Sequence, residues 1–142
     1  NRSRKYPSNC GVAGAVLMKP RVTGDAVTSG RAGEKPIGQT SRNLRLDVEY
    51  RPPLLSAFSL DVALVNRGER VASLDGLNRV PGYTLVDLGA RYRFEMRGAP
   101  TTLRLQAENI TDVFAWEIYG SNSFGLTDGG RFSAQVAVDL FL

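Results

Sequence analysis

Apolar and polar residues alternate with a period of two through most of this chain, and that rhythm restricts it to β-structure. In a strand, successive side chains leave opposite faces, so strict alternation produces two chemically different surfaces. Asn43–Tyr50 sets Leu44, Leu46, Val48 and Tyr50 against Arg45, Asp47 and Glu49. Phe58, Leu60, Val62 and Leu64 alternate with Ser59, Asp61, Ala63 and Val65. From Thr84, Val86, Leu88, Ala90, Tyr92 and Phe94 oppose Asp87, Gly89, Arg91 and Arg93. Thr101–Asn109 sets Leu103, Leu105 and Ala107 against Thr102, Arg104, Gln106 and Glu108. The last segment is the cleanest, with Phe132, Ala134, Val136, Val138, Leu140 and Leu142 on one face. A further strand is expected within Val12–Val22, where the alternation is weaker and Pro20 interrupts it. No segment carries a 3.6-residue apolar period, so the expectation is an all-β chain of about six antiparallel strands.

The links between these strands alternate in length. Arg51–Ser56 and Glu95–Pro100 are short, whereas Thr23–Arg42, Arg67–Gly82 and Ile110–Gly130 are long. In an up-and-down arrangement each end of the strands receives every second link. All short turns therefore fall on one rim and all long loops on the other, as in a transmembrane β-barrel of the outer-membrane type. The short turns share the rim of the C-terminus. Tyr50, Phe58, Tyr92 and Phe94 flank them, where an aromatic girdle would meet lipid headgroups.

Composition excludes several function classes. The longest apolar run, Gly11–Met18, is far shorter than the roughly 20 residues of a membrane-spanning helix. An apolar content of 42% suits a transmembrane barrel, because only alternate strand residues meet lipid. The net charge of +4 is scattered along strands and forms no recognition helix or basic cluster, so nucleic acid is not expected as a partner. One cysteine cannot build a disulfide framework, and the absence of histidine removes the commonest general base and metal ligand. Ser121, Ser123 and Ser133 thus lack an activating partner, and Asp47 with Glu49 reads as charge paired to arginines of neighbouring strands. Neither catalytic residues nor a metal site or resident cofactor is expected. The chain opens on Asn1-Arg-Ser-Arg-Lys5 without a signal peptide and is expected to be a piece of a longer protein.

Alternation reports two faces but not which one is wet. A soluble β-sandwich or a lipocalin-like binding module alternates too, with its apolar side turned inward. The loop asymmetry favours a membrane barrel. So do the charges of both signs at strand middles, which suit a wet lumen, and the abrupt apolar end of the last strand.

The segment Val80-Pro-Gly-Tyr-Thr-Leu-Val-Asp-Leu-Gly-Ala-Arg-Tyr-Arg-Phe94 resembles the "P-x-Y-T…D-x-x-x-x-Y" strand of the TonB-dependent outer-membrane receptors, especially those for ferric siderophores. Glu108-Asn-Ile-Thr-Asp112 is similar to their "N-L-x-D/N" box, and Val113-Phe-Ala-Trp116 lies where they place an aromatic "xxYW". Leu44–Pro53, Gly33 with Pro36-Ile-Gly38, and Gly130–Leu142 fit the same family. The resemblance runs from about Gly14 onward. One departure is the end, where Leu142 follows Phe141 and replaces the family's terminal phenylalanine.

The resemblance implies a plugged barrel of about 22 strands in the outer membrane of a Gram-negative bacterium. Residues 1–142 would be the C-terminal part of that barrel, with the plug domain absent from this chain. Implied partners are outer-membrane lipid, the rest of the barrel and its plug, TonB acting through that plug, the barrel-assembly machinery and an iron–siderophore ligand. The terminal strand, Phe132 to Leu142, is what the assembly machinery would read. A passive porin is the remaining alternative.

The aromatic-rich loop with Phe114, Trp116, Tyr119 and Phe124 is the candidate for ligand contact, above all Trp116, Tyr119 and Phe124, because exposed aromatic rings supply contact area at low entropy cost; the alternative is that Phe114 and Trp116 anchor the strand at the outer interface. Arg67, Arg70 and Arg79, assigned to the preceding long loop, are candidates for attracting an anionic ferric chelate. Asn109-Ile-Thr111 matches a glycosylation acceptor but reads better as a strand end, and Asp128-Gly-Gly130 as a turn into the last strand.

Overall fold

The computed structural model describes residues 9–139. Six strands form one antiparallel sheet in the order β1-β2-β3-β6-β7-β10. They are β1 (Asn9–Leu17), β2 (Arg42–Tyr50), β3 (Phe58–Arg67), β6 (Tyr83–Met96), β7 (Ala99–Glu108) and β10 (Arg131–Val138). The long links hold a four-residue helix, α1 (Asp25–Thr28), and two hairpins, β4 (Arg70–Val71) with β5 (Arg79–Val80) and β8 (Trp116–Gly120) with β9 (Ser123–Leu126). Each of the six sheet strands pairs with the one before it in the chain's up-and-down path, and the chain is all-β apart from α1.

The register carries the alternation across the sheet. Gly11, Val48, Val62, Leu88, Ala107 and Phe132 stand in one cross-strand row. Ala13, Leu46, Leu64 and Val86 form the next row on the same face. The opposite face carries Asp47, Asp87, Glu108 and Arg131 in a row and Arg91 opposite Arg104 in another. Slipping any strand by one residue would exchange the two faces, so the apolar pattern fixes the pairing.

The apolar face is uncovered. Leu46 is 41% exposed, Val62 40%, Leu88 42% and Val136 60%. The buried apolar residues among those described, Val71, Ala72, Val80, Tyr83 and Ala115, all lie in or beside the long links. The apolar face therefore has no dry centre of its own, and the buried apolar residues gather at one end of the sheet.

Several boundaries differ from the expectation. The first strand lies at Asn9–Leu17 rather than within Val12–Val22. Its short residues Gly11, Gly14, Ala13 and Ala15 give little contrast between faces, and pairing to β2 decides its extent. The expected link Glu95–Pro100 shrinks to Arg97-Gly98, both at positive φ (55° and 81°), the geometry of a two-residue type I′ hairpin. Asp47 pairs with Arg45 of its own strand and Glu49 with Arg51 just beyond that strand's end, not with a neighbouring strand. Arg67 closes β3 instead of lying in a loop. Tyr50, Phe58, Tyr92 and Phe94 share the apolar face near the short turns, with Tyr92 and Phe94 stacked at 5.5 Å. Phe132, Ala134, Val136 and Val138 lie on that face of β10, whereas Leu140 and Leu142 are outside the described residues.

Gly82 lets β6 begin against the end of β3. A Cβ there would sit 2.5 Å from the Arg67 carbonyl oxygen and 3.0 Å from the Gly68 carbonyl carbon. Neither atom belongs to a flexible side chain. Gly82→Ala is expected to destabilise the fold by about 1–3 kcal/mol, read as a lower urea midpoint of the full-length protein; an unchanged midpoint would show that the two strand ends are not in this contact.

Candidate functional site

The long links close over one end of the sheet and are tied together at Arg70. Its side chain is 5% exposed. Nη1 donates to Glu117 Oε2 at 3.0 Å, and Nη2 donates to the Trp116 carbonyl oxygen. The guanidinium lies 5.5 Å above the Tyr83 ring. Tyr83 donates its hydroxyl to Glu117 Oε1, and Arg67 Nη1 reaches both that carboxylate at 3.3 Å and the Tyr83 oxygen at 3.1 Å. The main chain of Arg70 also bridges to Thr40 of the first long link. One side chain and its peptide unit thus join all three links.

Backbone hydrogen bonds complete the layer. Gly33 donates to Leu74, Gly38 to Val71 and Asn122 to Ala72. Such bonds between loops are protected because Ala72 and Ser73 are shut off from solvent.

Glu117 sits at the centre of this charge cluster. Burial works against its ionised form, but the hydrogen bonds from Tyr83 and Arg70 and the nearby charges of Arg70 and Arg67 outweigh that and hold its carboxyl below the ordinary value. The charge that a single buried guanidinium could not sustain is thereby matched.

Asn109 anchors the third link at its root. It is buried at positive φ (49°), a conformation that asparagine tolerates better than most residues. Its amide N–H donates to Asp87 Oδ1 at 2.7 Å, and its side-chain nitrogen donates to the carbonyls of Val113 and Asp128. Asp112 accepts from the Gly130 N–H at 2.8 Å. The loop's departure and return are therefore pinned side by side, and the side chain of Asn109 is committed to the strand end.

The structure brings some of the sequence-predicted residues together. Trp116 opens β8 and meets Phe124 of β9 edge-to-face at 6.3 Å. These two rings, with Arg79, Val80 and Pro81, line a cavity of about 390 Å3. Trp116 also borders a larger apolar cavity of about 560 Å3 with Phe114, Val86 and Pro81. Arg79 is paired to Glu69 at 2.7 Å on the exposed surface. Arg67 and Arg70 stand apart from this cavity, with their charge directed to Glu117. Tyr119 lies outside both cavities, 73% exposed, with its ring over Gly125. Among the described residues no group of three Cys, Asp or Glu side chains converges to hold a metal ion.

Sequence reasoning missed Glu117 and the role of Tyr83. A signal for the first was present, since Glu117 is the one charged residue between Asp112 and Asp128. A lone acid in an apolar, aromatic loop needs a cationic partner when the loop packs.

Comparison with known proteins bears on the fold that carries these residues. No family model matches the chain. It is 27% identical over 129 residues to the ferrichrome receptor FcuA of Yersinia enterocolitica, an alignment that covers 91% of this chain and 17% of that receptor. The chain resembles a segment of a siderophore receptor. The crystal structure of BauA, the ferric preacinetobactin receptor from Acinetobacter baumannii, superposes with a TM-score of 0.83 at 19% identity, over 96% of this chain and 20% of that one. The fold is thus that of about a fifth of the BauA chain. The chain spans about a fifth or less of the length of either relative. Both relatives are receptors, and neither is described as an enzyme.

Glu117→Gln would leave the buried Arg70 guanidinium without a counter-charge and is expected to cost the loop layer about 2–4 kcal/mol. Amide hydrogen exchange at Ala72 and Asn122 in the full-length protein measures it, and unchanged protection there would refute the hub. The same amides report pH. Because the folded-state value of Glu117 lies below the ordinary 4.5, its contribution is complete above that pH and is lost as pH falls toward the depressed value. Protection that persists unaltered however far the pH falls below 4.5 would contradict the pairing.

Proposed function

We propose that this chain is part of the wall and outer loops of a TonB-dependent outer-membrane receptor that imports a ferric siderophore. The observation that carries this reading is an apolar sheet face left uncovered along its whole width, on a meander whose long links gather at one end. Water would penalise that face; hydrocarbon would not. Among the described residues the outer edges of β1 and β10 are unpaired, which supports it further, because exposed ladder groups in lipid need partners from additional strands. The similarity to two siderophore receptors supplies the class of cargo.

In this reading the charged face lines a wet lumen, and the four aromatic residues by the short turns sit at the periplasmic interface. The loop layer faces the outside of the cell. A plug supplied by the rest of the polypeptide blocks the lumen until TonB acts on it. The cavity of Arg79, Trp116 and Phe124 offers the loop surface best suited to a ligand, with Tyr119 exposed beside it and no chemistry performed on the cargo. The apolar face of β10 serves the barrel-assembly machinery.

Charge on the two faces distinguishes this from a water-soluble sheet. Leu88→Arg places a cation in mid-bilayer at an expected cost of about 2–4 kcal/mol, whereas Ser133→Arg adds one to the lumen at little cost. The expected outcome is loss of the full-length Leu88→Arg protein from the outer-membrane fraction and of ferric-siderophore uptake, with Ser133→Arg close to wild type. Equal tolerance of both, or extraction of the wild type without detergent, would end the membrane reading.

A further inference from the structure

We infer that Arg91 and Arg104 form a carboxylate-binding site on the charged face of the sheet. The two arginines are direct cross-strand partners. Like charges placed opposite one another in an antiparallel pair oppose its formation. Arg93, two residues along the same strand, adds a third positive charge on that face opposite Thr102. The flanking partners offer no compensation, since Ser59 stands across from Arg91 and Gln135 across from Arg104. Among the described residues none of the three arginines takes part in an ion pair, whereas Arg45 pairs with Asp47, Arg51 with Glu49 and Arg131 with Glu108.

Two further features mark the half-buried Arg91, beside the exposed Arg104, as a site. The Nε of Arg91 is buried and has no hydrogen-bond partner. A buried guanidinium N–H calls for an acceptor, and a carboxylate is the acceptor that also answers the charge. Beside it is a recess of about 120 Å3, bordered by both arginines, Gln106, Asp61 and Gly89, of a size for one carboxylate group. Gly89 makes the room: a Cβ there would collide with the Asp61 carboxylate, which lies over it. Asp61 borders the recess without coming within ion-pair distance of either arginine, so the local balance stays positive. The planar fork of arginine suits a bidentate carboxylate better than a single-atom anion.

The site rests on the reading of this face as the lumen of a larger barrel, and the carboxylate has two sources. It is either an acidic side chain of polypeptide packed against the face or a carboxylate-bearing solute in the lumen. In the full-length receptor, a photo-crosslinking residue in place of Gln106 tests the first source. A crosslink to a peptide of the same polypeptide at an Asp or Glu, lost in the Arg91→Gln/Arg104→Gln variant, supports the site with a protein carboxylate. The second source is tested by citrate. A rise in thermal transition with citrate but not with chloride at equal ionic strength, abolished in the same variant, supports a solute carboxylate. If neither the crosslink nor the citrate-specific shift appears, the site is refuted. Arg91→Lys/Arg104→Lys keeps the charge and serves as the variant that folds if the glutamines do not. Detergent-dependent extraction of the wild type is scored separately, so failure of the site is distinguishable from failure of the membrane reading.

Discussion

The ladder of backbone hydrogen bonds between strands is the constraint on which everything else in this structure depends. Each sheet strand finds its N–H and C=O partners only on its neighbours, so register is the one variable that sorts every side chain to a face. Once Val48, Val62, Leu88 and Ala107 stand in a row, the charged residues between them have no choice but the other side. Apolar burial plays almost no part in the sheet and is gathered at its looped end. The fold has two different sources of cohesion: main-chain pairing along the strands, and side-chain packing with matched charge where the long links meet.

The second source is concentrated in few residues. Arg70 joins three segments that are far apart in the chain, through a carboxylate, a carbonyl, an aromatic ring and a β-bridge. Such sharing makes the loop layer cooperative, because loosening one link removes partners from the other two. Asn109 does the corresponding work at the base of the third link, holding its two ends against Asp87. The motif residues that resemble the receptor family thereby acquire physical roles. Tyr83 hydrogen-bonds Glu117, Asp87 receives the strand-end amide, and Asn109 closes the loop.

Much of the sheet was legible in the sequence because period two is a local property. Phe58–Arg67 and Arg131–Val138 start where the alternation starts, and the order of short and long links follows from counting residues. The first strand was less legible, since glycines and alanines give both faces the same character. The hairpins at Arg70–Val71 and Trp116–Gly120 were not legible at all. Their pairing depends on contacts between loops, and no local pattern encodes the burial of an arginine by a glutamate 47 residues away. The candidate site shows the same division. The aromatic pair Trp116 and Phe124 could be seen as a loop cluster, whereas the commitment of Arg67 and Arg70 to Glu117 could not, because charge alone does not name its partner.

The serial order of the sheet has a consequence for how such a chain is built. No strand must wait for a distant one, as every addition to the growing ribbon extends the edge just completed. Hairpin β6–β7 closes through two residues, and β10 pairs with β7 across a loop whose two ends Asn109 holds together. Contacts of short sequence span are gained early and at small entropic cost. A wall of this order could be zipped from one side to the other, strand by strand, with the newest edge always the next to be covered.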